Sequence, residues 1–137
     1  MARKIGDVEA RLYATPDYLA SIGNPAEPAA LKGAAFIGFD RSGDLIGALA
    51  RFGLELAQAD FPILSGSHLV QWAHVCQGLG IGIMTSDIGD AEPRVVRVLP
   101  EAMPIRVPVW LVAHREVHTS RRLRLAFDLL ARELAHG

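Results

Sequence analysis

Cysteine is almost absent from this chain, because Cys76 is the only one in 137 residues. A single cysteine excludes a disulfide framework and a cysteine-based zinc site within one chain. The N-terminal stretch MARKIGDVEARLY also lacks the apolar core of a secretory leader. No apolar run approaches the roughly 20 residues that span a bilayer. We therefore expect a soluble chain that works in the cytoplasm.

A basic surplus is missing as well. Lys and Arg together number 14 and Asp and Glu number 15, which gives a formal net charge of −1. Proteins that bind nucleic acid directly usually carry a basic surplus or a basic stripe. Direct DNA binding is therefore not expected of this segment.

The chain does contain an alternation of strand and helix patterns, and its hydrophobic content of 50% is enough for one packed domain. Strands are predicted at residues 11–14, 34–39, 61–64, 80–84, 94–99 and 107–113. Helices are predicted at residues 16–21, 44–52 and 68–77, with a last helix that begins after Thr119 or Ser120. This alternation predicts an α/β fold with a largely parallel sheet. Residues 1–10 are expected to fray, and residues 85–93 to form a polar loop.

Apolar spacing predicts which helix faces are buried. The predicted stripe of the helix at 68–77 consists of Leu69, Trp72, Ala73 and Cys76. The predicted stripe of the last helix consists of Leu123, Phe127, Leu130 and Leu134. Helix ends are indicated by Thr15 before Pro16 at a start, and by Gly23 and Gly78 at stops.

Some sequence patterns could suggest enzyme or metal chemistry, but none of them occurs in the structural setting that this chemistry requires. Gly78, Gly80 and Gly82 end a helix and enter a strand, whereas a dinucleotide fingerprint follows a strand and opens a helix. Ser65 and Ser67 lack the Gly-x-Ser-x-Gly elbow of a hydrolase nucleophile. Of the 5 histidines, His114 and His118 have H-x-x-x-H spacing, but they lie across a predicted strand end and a loop, with no cysteine or paired carboxylate beside them. We therefore expect a protein that is not an enzyme and holds no cofactor or metal.

Two turns that connect a strand to a helix are more informative. Ser65, Gly66 and Ser67 follow one predicted strand, while Asp40 and Arg41 follow another and add a guanidinium. The first N–H groups of a helix have no internal partner, and the helix dipole is positive there. Such turns can bind a carboxylate or a phosphate. Plain helix capping is the alternative, and the spacing alone leaves both interpretations open.

Several stretches, taken in order from about residue 3 to residue 135, resemble the effector-binding domain of LysR-type transcriptional regulators. RLYATPDYLASIGNPAEPAAL is similar to the family's crossing strand, turn helix and Pro-rich loop, and AAFIGFD to the strand that follows. GSHLVQWAHVCQGLGIGIM is similar to a helix and strand of the second lobe. VPVWLVAHREVHTSRRLRLAFDLLARELA is similar to the return strand and closing helix. One departure is Thr15, where the family usually has serine.

The resemblance implies a two-lobed fold like that of type 2 periplasmic binding proteins. By position, residues 1–137 match a single partial effector-binding domain. Its second lobe covers about residues 15–100, and its return strand and C-terminal helix cover about residues 105–137. Most of the first lobe and the family's winged helix-turn-helix are expected to be missing, and a truncated chain and a natural fragment stay open as explanations.

The same resemblance implies an effector between the lobes, which we expect to be a small organic anion or an aromatic acid. In the family the turn that matches Ser65 holds part of the effector, and two neighbouring strand ends approach the same cleft. Together with Arg41 from the turn argument, the expected ligand-binding residues are Ser65, Gly66, Ser67, Phe39, Asp40, Arg41, Met84 and Thr85.

The leading hypothesis is a sensor, in which the effector favours one state of lobe closure and so changes how a regulator contacts promoter DNA. The alternative is a stand-alone module that binds small molecules or oligomerises. A missing first lobe would leave apolar faces uncovered at residues 107–113 and 123–134, and exposed apolar patches usually find a partner. We therefore expect a homo-oligomer, most simply a dimer. A small hydrolase or transferase is disfavoured because no nucleophile–base pair is present.

Overall fold

The computed structural model describes residues 1–135. Its strands are β1 (Ala2–Ala14), β2 (Ile37–Gly38), β3 (Ile63–Leu64), β4 (Gly82–Thr85), β5 (Val96–Arg97) and β6 (Ile105–Val112). Its α-helices are α1 (Pro16–Ser21), α2 (Asp44–Ala50), α3 (His68–Cys76), α4 (Ser86–Ala91) and α5 (Arg121–Leu134). The chain divides into a large unit, Ala10–Ile105, and a small unit that comprises Met1–Glu9 and the chain from Arg106 on.

The sheet of the large unit mixes parallel and antiparallel pairs. β2 and β3 are parallel, with Gly38 opposite Leu64. A parallel bridge between Phe36 and Ile81, the residues just before β2 and β4, joins these strands to β4. β1 runs antiparallel to both of its neighbours in this unit, β4 and β5. The expected parallel arrangement is therefore present for β2, β3 and β4, and absent for β1.

β1 is much longer than predicted, because it covers 13 residues. The prediction that residues 1–10 fray is therefore wrong. The first part of this strand belongs to the small unit, where β1 pairs with β6. Met1 and Ala113 exchange two backbone hydrogen bonds, each 2.8 Å long. A partner so distant in sequence leaves no trace in the local composition of residues 1–10.

The predicted helix boundaries that rest on capping chemistry are confirmed. Thr15 caps α1, since its Oγ1 accepts a hydrogen bond from the N–H of Tyr18 at 3.2 Å. Gly23 follows α1 with a φ of 89°, which favours glycine at the end of a helix. Ser120, one of the two predicted candidates, caps α5 through the N–H of Leu123.

Residues 85–93 do not form the predicted polar loop, because they contain α4. Thr85 occupies the N-cap position and Asp87 lies in the first turn. Gly89 is one reason that the sequence does not predict this helix, because glycine is a poor helix former. The structure accounts for the glycine: a Cβ at this position would lie 2.1 Å from Cζ of the buried Tyr13 ring.

β1 separates the interior of the large unit into two clusters, because successive side chains of a strand point to opposite faces. Leu12 and Ala14 belong to the cluster that α2 covers with Leu49. Tyr13, between them, belongs to the cluster that α3 covers with Val75. The sheet is therefore covered on both faces, as is usual for sheets with parallel strands.

α3 contacts the sheet through part of the predicted stripe together with Val75, and Cys76 is buried as predicted. Val75 is buried and Trp72 is half-buried, whereas Leu69 is 85% exposed and Ala73 is exposed. The predicted stripe is therefore wrong for Leu69 and Ala73. Gly82 in β4 helps to select this face, since a Cβ there would lie 2.3 Å from Cγ2 of Val75. The glycine lets the helix approach the sheet at that point.

In the small unit, α5 contacts β1 through Phe127 and Asp128, which both meet Arg3. The guanidinium of Arg3 in β1 lies 5.5 Å from the centre of the Phe127 ring and 3.2 Å from Oδ1 of Asp128. Phe127 and Ala131 are the buried residues of α5. The prediction of a buried stripe is wrong for its three leucines, which are about half exposed: Leu123, Leu130 and Leu134. No helix within residues 1–135 combines the length and apolarity needed to cross a bilayer.

Candidate functional site

The candidate site lies at the edge of the large unit where β2, β3 and β4 end. These strands are parallel, so their carboxyl ends meet at one edge of the sheet, which is where open α/β sheets bind ligands. The N–H of Ser65 donates to the carbonyl oxygen of Gly38 at 3.1 Å. This bond joins the ends of β2 and β3, so the turns that follow the two strands begin side by side.

Ser65, Gly66 and Ser67 connect β3 to α3, as predicted. Oγ of Ser67 accepts from the N–H of Val70 at 3.4 Å, so the capping interpretation is realised at this residue. Oγ of Ser65 accepts from the N–H of Ser67 at 3.2 Å, and Nε2 of Gln71 donates to the carbonyl of Ser65 at 2.6 Å. Other first-turn N–H groups of α3 have no acceptor within the helix. Gly66 and Ser67 are exposed, so the positive end of α3 is open to solvent.

An aromatic pair lies beside this turn. Phe39 directly follows β2, and His68 is the first residue of α3. Their rings stack with centroids 5.5 Å apart and an angle of 25° between the planes. Both residues are exposed, so they form a flat surface next to the first turn of α3. His68 is not among the predicted ligand residues, although its position directly after a capping serine is a signal that identifies it.

The turn that contains Asp40 and Arg41 differs from the serine turn. Oδ1 of Asp40 accepts from the N–H of Ser42 at 2.9 Å, and hydrogen bonds from the side chain and backbone of Ser42 lower the pKa of Asp40. Both Asp40 and Arg41 are exposed. α2 begins after Gly43, which has no side chain to cap the helix. This turn therefore presents one carboxylate and one guanidinium, and is a weaker anion site than the serine turn.

Met84 and Thr85 end β4 at the same edge but are already engaged with other parts of the protein. Met84 is half-buried against the cluster that contains Val75. Thr85 is at the N-cap of α4, and the hydrogen bond of its side chain lowers the pKa of Asp87. Hydrogen bonds and ring stacking thus join Phe39 and the serine turn, whereas Met84 and Thr85 share only the sheet edge with them.

A charged network holds α4 against the sheet behind this edge. The hydroxyl of Tyr13 donates to Oδ1 of Asp90 at 3.0 Å, and the Nε of Arg97 donates to the same oxygen at 2.8 Å. A second nitrogen of Arg97 donates to Oδ2 of Asp90 at 2.5 Å. The hydrogen bonds from Arg97 are the main cause that lowers the pKa of Asp90 from 3.8 to about 2. Burial is the main reason that the pKa of Tyr13 is raised.

This fold is that of the regulatory domains of LysR-type transcriptional regulators. The regulatory domain of CrgA from Neisseria meningitidis matches 98% of this chain with a TM-score of 0.77 and 24% identity. The full structure of CrgA, a LysR-type transcriptional regulator, matches 98% of the chain with a TM-score of 0.78 and 26% identity. The full-length Vibrio cholerae virulence activator AphB matches 97% with a TM-score of 0.63 and 21% identity. The predicted type 2 periplasmic-binding-protein-like fold is confirmed.

The family model described as the LysR substrate binding domain matches residues 1–135. The chain belongs to the LysR substrate-binding domain family, which confirms the resemblance drawn from the sequence. It spans 68% of the CrgA regulatory domain and 47% of the full CrgA chain. No curated protein matches the chain.

Proposed function

We propose that this chain senses a small-molecule effector for a LysR-type transcriptional regulator and catalyses no reaction. The observation that supports this most is the meeting of three parallel strand ends with the exposed first turn of α3 and the stacked rings of Phe39 and His68. Family membership over residues 1–135 supports the same function. The proposed ligand-binding residues are Ser65, Gly66, Ser67, Phe39, Asp40, Arg41, Met84 and Thr85, with His68 added.

The effector that fits this edge is a small organic anion, and an aromatic acid fits best. The first-turn N–H groups of α3 and its dipole favour a carboxylate near Ser67. The Phe39–His68 pair offers exposed ring surface on which an aromatic ring can stack. Arg41 adds a positive charge at the neighbouring turn, where Asp40 partly offsets it.

The proposed mechanism is a population shift, in which the effector binds one state of lobe closure more tightly than the other. In a partial effector-binding domain of this kind, the segment of about residues 15–100 acts as the second lobe. The segment of about residues 105–137 supplies the return strand and the C-terminal helix. Promoter DNA is contacted by the winged helix-turn-helix of a full regulator, which works in the cytoplasm.

The test is thermal unfolding of the chain with and without benzoate, succinate or phosphate. A ligand that binds only the folded state raises Tm as its concentration rises. Ser67→Ala is expected to lose most of that shift. Ser120→Ala is the matched control, because Ser120 caps α5 through a bond of the same 3.4 Å length. Equal ligand shifts in both variants, or no shift with any of the three anions, would overturn the proposal.

A second candidate is a stand-alone homo-oligomerising module, and the exposed apolar residues of the small unit favour it. Trp110 in β6 is 55% exposed and Val112 is 70% exposed, while Leu129 in α5 is 50% exposed. A dimer that buries these residues should dissociate in a Trp110→Ser, Leu129→Ser variant, with Leu69→Ser in the large unit as control. Light scattering that reports a monomer for the unchanged chain at high concentration would refute this candidate.

A further inference from the structure

A groove in the large unit lies apart from the residues of the proposed effector site. Its volume is about 670 Å³, which is within the usual range for small-molecule sites. Its walls are mostly apolar and include Pro25, Pro28, Phe52, Leu99 and Met103. None of the eight predicted ligand residues lines it.

A smaller chamber of about 30 Å³ adjoins the groove. Both spaces share Phe52, Leu99, Ala102 and Met103 as walls, so they lie next to each other. The chamber is lined deeper in by the buried side chains of Leu12, Leu49, Leu54 and Val98. It is large enough for a methyl or ethyl group and too small for an aromatic ring.

The charges around the groove and the chamber favour an anion. Arg11 lines the chamber, while Arg51 and Glu101 line the groove, so the arginines outnumber the carboxylate. Arg51 and Glu101 are exposed, which places their charges at the rim. An apolar hollow with a guanidinium at its rim fits a ligand that has an apolar body and one negative group at its end, beside Arg51 and away from Glu101.

The loop of residues 99–103, which forms one wall of the groove, contains a residue with an unfavourable backbone conformation. Leu99 is buried with a φ of 52°, in the left-handed region that non-glycine residues rarely adopt. Nη1 of Arg11 donates to the carbonyl of Ala102 at 3.1 Å, while Nε of Arg11 is buried without a hydrogen-bond partner within residues 1–135. Strained backbone and unpaired buried donors both cost stability, and strain of this kind clusters at ligand clamps. Arg11 of β1 and the loop that contains Leu99 meet on this wall, and the two features together support a ligand there.

We propose that this groove is a second ligand site, which takes an amphipathic monocarboxylate with an unbranched apolar chain. The chain of the ligand packs along Phe52 and Met103, and its methyl end enters the chamber. Its carboxylate stays at the rim beside Arg51. Arg11 acts as a positioning residue, because it holds the wall through the carbonyl of Ala102. This site is independent of the proposed effector site.

The test uses octanoate as the probe and the intact chain, with ¹³C-labelled methyl groups followed by NMR. Octanoate is expected to shift the methyl signals of Ala102 and Met103 in a saturable way. Octanamide, which has the same chain without the charge, is expected to bind about threefold more weakly, as is octanoate to Arg51→Gln. Equal binding of octanoate and octanamide would overturn the assignment of an anionic ligand.

Ala102→Trp places a large ring at the junction of groove and chamber and is expected to weaken octanoate binding at least about tenfold. Met103→Glu is the second variant, since this side chain is 79% exposed and its replacement puts a negative charge on the wall without disturbing the core. Unchanged affinity in both variants would overturn the proposal. Ser120→Ala, which lies in neither proposed site, is the control and should bind octanoate normally. Octanoate shifts confined to the methyl groups of Met84 and Thr85 would refute the groove while leaving the proposed effector site standing.

Discussion

The two units of this chain differ sharply in how they use apolar residues. Among the side chains whose burial the structure describes, nearly all the buried apolar ones lie in the large unit, and the small unit contributes only Phe127 and Ala131. The small unit instead exposes Trp110, Val112 and several leucines of α5. Up to residue 135, its strands come from β1 and β6 alone, and a two-stranded ribbon is at best marginally stable without cover.

The difference shows that the large unit supplies most of the stability, because burial of apolar area is the main favourable contribution to folding. It also separates the ligand sites proposed above, which lie in the large unit, from the proposed dimer interface, which lies in the small unit. The large unit has a complete core and can hold ligand sites in fixed geometry. The small unit has apolar surface without a core, which is the property of a segment that packs against a partner.

The largest expected effect comes from a matched pair of leucines in the two units. Leu49 in α2 is 1% exposed, whereas Leu130 in α5 is 49% exposed. Leu49→Ala should lower the free energy of unfolding by about 2–5 kcal/mol, since it removes buried methyl groups and leaves a cavity. Leu130→Ala should lower it by less than about 1 kcal/mol. Urea unfolding measures both, and similar losses would refute the contrast between the units.

The next effect tests how tightly the large unit is packed, through two helical glycines. Gly89→Ala places a Cβ 2.1 Å from the Tyr13 ring and should cost about 1–3 kcal/mol. Gly47→Ala in α2 meets nothing within 4 Å, so it should be neutral or stabilise the chain by up to about 1 kcal/mol. Thermal unfolding of the two variants compares them directly. A Gly89→Ala variant as stable as Gly47→Ala would show that α4 is loosely attached.

The smallest effect concerns the charges that tie α4 to the sheet. The folded chain lowers the pKa of Asp90 from 3.8 to about 2, mainly through its hydrogen bonds from Arg97. Folding therefore favours the carboxylate, and the resulting stability is present above pH 3.8 and lost as the pH falls toward 2.

Asp90→Asn should flatten the acid side of a plot of Tm against pH. Arg97→Gln should flatten it in the same way, because it removes the main cause of the lowered pKa. The double variant should show little further change, since both substitutions break one interaction. Additive effects in the double variant would contradict the pairing of Asp90 with Arg97.

Local chemistry made some parts of the fold predictable from the sequence. The start of α1 is determined by Thr15 and Pro16, and its end by Gly23, all within one short segment. The turn before α3 follows from Ser65 and Ser67 in the same way. These predictions succeeded because caps and glycine turns depend on neighbours within a few residues.

Other parts depend on distant partners and were not predictable. The N-terminal half of β1 exists because β6 pairs with it, and Gly89 interrupts the helical pattern of α4 because Tyr13 occupies the space. The buried face of α3 depends on Gly82 in a neighbouring strand. The stacking of His68 on Phe39 likewise requires the parallel pairing of β2 with β3, so one half of the proposed aromatic surface was missed.

The most direct test of the effector site is an NMR titration of the intact chain with benzoate, and with benzamide as its neutral counterpart. Benzoate should shift the backbone amides of Gly66, Ser67 and His68 and the ring signals of Phe39 in a saturable way. Benzamide should shift the ring signals with only weak changes at the amides. Benzoate shifts that leave these four residues unchanged would contradict the central claim that the carboxyl ends of β2 and β3 hold a small anion.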